Sequence, residues 1–173
     1  MLAFLKLLQS LVKELHSDGT PMQIALGAAL GAALGLTPIA NVHNALIIAL
    51  LLVLNVSFGA GMLAWGLFVP IGFLLDPLFD RIGHRLLLET PALTPLWTSW
   101  FNAPLMPYTN FNNSVVLGSV VGWVVLFVPV TALVYFLIVR YRATYGDRVR
   151  RSRFYRAVTA SQAYNVYRWF TPE

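Results

Sequence analysis

The chain has no cysteine, so neither disulfides nor thiolate chemistry enters. That absence fits any redox compartment. Charge is scarce too. Only 11% of the 173 residues are charged, where a soluble domain carries about 25%. No long polar segment exists, which excludes a large aqueous domain. There is no nucleotide-binding glycine loop, no Ser-His-Asp set and no zinc spacing. His16, His43 and His84 stand apart and form no cluster. What is plentiful is apolar: 58% of residues are hydrophobic and the mean hydropathy is +0.69. Lipid cannot solvate charge, so scarcity of charge and excess of apolar residues together describe a bilayer protein.

The chain is organised around residues 20–55, two apolar arms flanking Thr37-Pro38. Thr20, Pro21 and Gln23 read as a capping box with proline at the first helical position. The first arm, Pro21 to Leu36, is about 24 Å of helix, short against a core of about 30 Å. Gly27, Gly31 and Gly35 recur every four residues and make a smooth face where another backbone approaches closely. Proline ends that arm. The second arm runs from Asn41 to Asn55 and is equally short. The pair is either a tight two-span hairpin or a re-entrant pair.

Before the arms, Met1 to His16 places Phe4, Leu7, Leu8, Leu11, Val12 and Leu15 on one arc, with Lys6, Lys13 and Glu14 opposite. This reads as a helix lying in the membrane plane rather than a cleaved signal. After the arms, Val56 to Leu75 is long enough to span, with a kink expected at Pro70. Asp76-Pro77 is read as its end and as the cap of a new amphipathic helix to about Glu89. Residues 90–113 read as a proline-broken loop whose Trp97, Trp100, Phe101, Tyr108 and Phe111 settle at headgroup level. Asn110, Asn112 and Asn113 close it. Ser114 to Tyr141 is the clearest span, with Gly118 and Gly122 as a second packing pair.

Charge orients the chain. From Arg140 onward there are eight arginines against Asp147 and Glu173, a net +6, while the rest nets −1. The positive-inside rule puts this tail in the cytoplasm, and an even number of crossings puts the N-terminus there too. Arg148, Arg150, Arg151 and Arg153 suit anionic lipid or a cytosolic partner. With Tyr155, Tyr164, Tyr167 and Trp169 interleaved, RNA is the competing but costlier explanation, and no nucleic-acid partner is expected.

Three constellations invite chemistry. Thr37, Pro38, Asn41, His43 and Asn44 form a polar group at the break, either an enclosed site for a headgroup, ion or proton or a surface turn with caps. Asp76, Asp80 and His84 follow four-residue spacing and are weak metal candidates. They are equally explained as a cap and an ordinary i,i+4 pair. Arg81 and Arg85 beside them could hold a phosphate. No cofactor is expected.

From about Gln23 to Leu75 the chain resembles the bacterial membrane family of unknown function DUF2062. The likeness rests on Gly27, Gly31 and Gly35, the Gly-Leu-Thr-Pro break ending at Pro38, the leucine-rich arm and Asn55. The chain departs from the family's glycine-containing turn at Ile39-Ala40-Asn41, and from its Asn-Pro pair at Asp76-Pro77. Some members are joined to glycosyltransferase domains, so the resemblance implies work near envelope lipids or glycoconjugates.

These readings predict an all-α integral membrane protein of the bacterial inner membrane, multi-pass with both termini cytoplasmic. It has an in-plane amphipathic helix (1–19) and a membrane domain (20–142). That domain comprises a broken or re-entrant hairpin (20–55), a span (56–75), an amphipathic periplasmic region (76–113) and a span (114–141). A basic tail (143–173) completes the chain. The expected role is a non-enzymatic subunit of a lipid-handling envelope assembly, with a membrane or periplasmic protein or a second copy as partner. A small transporter or channel using the break is the alternative, and an enzyme acting on a lipid headgroup is third.

Overall fold

The computed structural model describes residues 19–38 and 41–150, with side chains described as far as Thr144. All but the last residue of the expected in-plane segment at 1–19, and the tail residues Arg151 and Arg153, fall outside them. Helix α1, Pro21–Leu36, starts as the capping box dictates. Thr20 Oγ1 accepts from the Gln23 backbone N–H at 3.2 Å, and Gln23 Oε1 accepts from Thr20 N at 2.8 Å. The helix is apolar all round, and a helix of that kind belongs inside. Eleven of its 16 residues are buried, which makes it the central element of the molecule.

Helix α2, Val42–Val53, is shorter than the arm from Asn41 to Asn55 expected for it. Only Asn44, Ile47 and Leu51, one stripe at three- and four-residue spacing, are buried. Helix α3, Phe58–Leu88, begins at Ser57, whose Oγ accepts from Ala60 N at 3.2 Å. It overturns the expected boundary at Asp76-Pro77. Both Pro70 and Pro77 lie inside one continuous helix, and Asp76 caps nothing. Each proline forfeits one backbone bond. Close packing on both sides of Pro77 accompanies the unbroken helix: Gly72 lies against Gly35 of α1, and Gly83 against Ser114.

The region read as a loop holds more structure than expected. Two 3₁₀ turns, Pro91–Leu93 and Met106–Thr109, flank helix α4, Thr94–Phe101. Helix α5, Ser114–Arg150, is capped by Asn113, whose Oδ1 accepts from Val116 N at 3.2 Å. It continues past the exit expected at Tyr141. The described residues are thus all-helical, with five α-helices and no strand.

Backbone approaches set the helix directions. Gly27 meets Ser57, Gly31 meets Gly61, and Gly35 meets Trp65 and Phe68, so α1 and α3 run parallel. A Cβ at Gly31 would overlap the Gly61 carbonyl, so the two backbones touch where no side chain fits. Gly118 meets Phe79 while Gly83 meets Ser114, so α5 returns antiparallel to α3. Helix α2 runs back beside α1. Asn44 meets Thr37 at one end, and at the other Gln23 Nε2 donates to Asn55 Oδ1 at 2.8 Å. Arg142 Nη1 then donates to Gly19 O at 2.9 Å, so the start of α1 and the far part of α5 share one end of the bundle.

One buried cluster joins Leu30, Ala33, Leu34, Ile47 and Leu51, with Trp65, Trp123 and Phe127 against it. A second joins Ile24, Ala60 and Ile138. The outer surface is the informative part. Helices α3 and α5 are both long and apolar enough to cross a membrane, yet their apolar windows are only 22% and 6% buried inside the protein. Beyond the end of α1, residues 73–88 of α3 extend about 24 Å further. With the start of α5 they carry a cap made of α4 and the 3₁₀ turns.

Candidate functional site

The break between α1 and α2 is built by hydrogen bonds among neutral groups. Thr37 and Asn44 are buried, Asn41 and His43 are half-buried, and Pro38 is exposed. Thr37 Oγ1 lies 2.9 Å from Ala33 O and 2.6 Å from Asn44 Oδ1, sharing one proton between two acceptors. Asn44 Nδ2 donates to Pro38 O at 2.7 Å, and Asn41 Nδ2 donates to the same oxygen at 2.8 Å. Asn41 occupies the cap position of α2 but makes no side-chain cap bond, because its amide turns back to Pro38 instead. Both amides thus serve one carbonyl, that of Pro38 itself.

The network reaches across the molecule. Asn110 Nδ2 donates to Asn41 Oδ1 at 2.7 Å, which ties the cap to the break. Asn110 holds a left-handed backbone, φ 54°, a conformation asparagine tolerates better than most residues. The sequence reads it as a loop-closing residue that can cap the next helix, and nothing in its neighbourhood signals a partner 69 positions away. A hollow of about 510 Å³ lies beside this bond, lined by Pro38, Asn41, Asn110, Asn112, Asn113 and Val116. A second, of about 370 Å³, runs from Leu34–Pro38 to Val69, Phe73 and Asp76. The break therefore stands level with Asp76, where the uncharged stretch of α3 ends. His43 Nε2 is buried and has no hydrogen-bond partner among the described residues.

The weak metal trio does not assemble. Asp80 accepts from Ser114 Oγ, and His84 Nε2 lies 3.9 Å from Glu89 Oε1. No group of three metal-ligating side chains converges among the described residues. Arg85 Nε stands 3.6 Å from Glu89 Oε2.

Trp97 and Trp100 turn toward one another rather than standing singly at a surface. Their rings meet edge to face at 5.4 Å, and both contact Phe111, at 6.0 and 5.7 Å. Trp97 Nε1 donates to Leu86 O at 3.0 Å, locking α4 onto the end of α3. Gly122 faces the Phe79 ring. Arg148 and Arg150 lie on the helical backbone of α5, with side chains outside the described atoms.

The comparisons with known proteins give a family but no activity. The profile of a family described as "Uncharacterized protein conserved in bacteria (DUF2062)" matches residues 5–151, far more of the chain than the resemblance at residues 23–75. An "Uncharacterized protein" of Treponema pallidum (strain Nichols) is 25% identical over 151 residues, covering 87% of this chain and 93% of that protein. No solved structure matches.

Proposed function

This chain belongs to the bacterial DUF2062 family, and we propose that it is a multi-pass inner-membrane protein serving as a non-enzymatic, lipid-handling subunit of an envelope assembly. One observation carries the reading: α3 and α5 turn their apolar residues outward. Phe73 is 73% exposed, Leu74 80% and Val128 71%, on helices long enough to span. In water such faces are a liability; in lipid they are solvated. Two long helices and a shorter hairpin running in alternate directions leave both ends on one side. The arginine-rich tail makes that side the cytoplasm. The exposed side of α2 is where a protein partner or a second copy would lie.

The test has two arms. Single cysteines at Ser99 and Ser161 are labelled with an impermeant reagent in intact cells, and labelling of 99 but not 161 is expected. The reverse pattern overturns the orientation. Mild-detergent purification then looks for a stoichiometric envelope partner and retained lipid; a lone monomer that transports by itself overturns the subunit reading.

A transporter reading draws on His43 Nε2, the unpartnered nitrogen at the break. Against it, Thr37, Asn41 and Asn44 are already committed to one another and to Pro38. Loss of function in His43→Ala with folding intact would favour transport.

A further inference from the structure

Two hollows of opposite character meet at His84, near the end of α3. The first, about 500 Å³, lies between α3 and α4 and is walled by Leu87, Leu88, Trp97, Phe101 and Phe111. The second, about 330 Å³, is lined by Asp80, Arg81, Arg85 and Glu89. His84 lines both. An apolar chamber joined to an ionic one has the shape of an amphiphile's imprint. We propose that this junction binds a zwitterionic phospholipid whose headgroup carries a primary ammonium, with phosphate on Arg81 and Arg85, ammonium on Glu89, and an acyl segment against the aromatic wall. The proposal rests on the membrane reading above.

The ionic half chooses the headgroup. Arg81 and Arg85 are one helical turn apart and so share a face. Guanidinium is the side chain best suited to phosphate oxygens. Arg81 has no ion-pair partner among the described residues, while Arg85 holds Glu89 only loosely at 3.6 Å. The Arg85 and Glu89 side chains are 79% and 56% exposed, so their pairing is weak and exchanges readily. A phosphate entering between the arginines releases Glu89. Released from Arg85, the half-exposed carboxylate keeps His84 Nε2 3.9 Å away and accepts a further donor, which a primary ammonium supplies and a quaternary one does not. A purely anionic headgroup would face Asp80 and Glu89 uncompensated.

The setting agrees with a lipid rather than a soluble amphiphile. Leu88, Phe101, Leu105 and Tyr108 stand exposed around the cap at 61–74%. Apolar and aromatic side chains on such a rim suit the boundary between hydrocarbon and headgroups.

The full chain is reconstituted in phosphatidylcholine nanodiscs containing rising fractions of brominated-chain phosphatidylethanolamine, phosphatidylglycerol or phosphatidylcholine, and tryptophan quenching is read. Phosphatidylethanolamine is expected to give a saturable component, carried by Trp97 and its neighbour Trp100 and reduced in Trp97→Phe. Arg81→Ala and Glu89→Gln, both on exposed side chains, should each raise its half-saturating fraction about fivefold or more, as loss of a charge-assisted contact implies. Equal half-saturation for all three lipids means annular lipid only and overturns the site. So does strongest binding of phosphatidylglycerol, because the argument for Glu89 then fails. Both outcomes are read on the unaltered protein, so they hold even where a variant folds poorly. A chain that never enters the nanodiscs overturns the membrane reading and the site together; insertion without headgroup preference overturns the site alone.

Discussion

The two arms of the hairpin are both apolar, both short and joined by a few residues, yet they have opposite fates. Helix α1 buries 11 of 16 residues, whereas α2 buries three of 12. The arm rich in leucine and isoleucine is the exposed one, with Leu46 at 61%, Leu52 at 67% and Val53 at 81%. The arm of glycine and alanine is the core. In water, large apolar side chains would claim the interior. Where lipid solvates them, hydrophobicity no longer sorts inside from outside, and backbone proximity does. Small residues win the centre because they let α3 and α5 come close.

Substitutions that add or remove bulk test this contrast most sharply. Gly31→Leu should abolish folded protein in mild detergent, read by size exclusion and denaturation, because Gly61 backbone occupies the space. Even Gly31→Ala should cost about 1–3 kcal/mol, the usual range for overpacking. That is harsher than the glycine pattern alone implies. Stability unchanged in both would mean that α1 does not touch α3. Next in size, Asn44→Leu removes the donor to Pro38 and the acceptor for Thr37. It should destabilise the hairpin by about 1–3 kcal/mol, as for any buried polar group left unpaired. Gly66→Ala is the matched control for Gly31→Ala, since nothing lies within 4 Å of its added methyl. A gain of up to about 1 kcal/mol from helix propensity is expected. Smallest of all, Leu52→Ala on the exposed side of α2 should change the stability read by denaturation by less than about 0.5 kcal/mol. A large loss there would place α2 in a packed interface of a folded monomer.

The same contrast explains what the sequence made legible. The capping box at Thr20 and the glycine ladder are local or periodic signals, and both elements stand where those signals put them. The helix running through Pro77 was not legible, because the local cost of proline is plain while the offsetting contacts at Gly72 and Gly83 come from distant helices. Helix α4 was hidden by four prolines and five aromatics that suited a loop as well. At the break, the residue types were evident but not their partners. Asn41 looks like a cap in any sequence, and its side chain is claimed instead by Pro38 O and by Asn110, the latter 69 positions away.

The meeting of Gly19 with Arg142 has a consequence in time. The two residues are 123 positions apart, so the bundle cannot close until nearly all of α5 has been made. At about 5–20 residues per second, the completed α1 waits roughly 5–21 s for its last neighbour. Through that interval the side of α1 that packs on α5, where Ile24 meets Ile138 in the finished protein, lacks its covering. Synthesis halted before Ser114 would therefore leave the most buried helix of the molecule as its most vulnerable one, a ready mark by which the cell's quality control could tell an unfinished chain from a finished one.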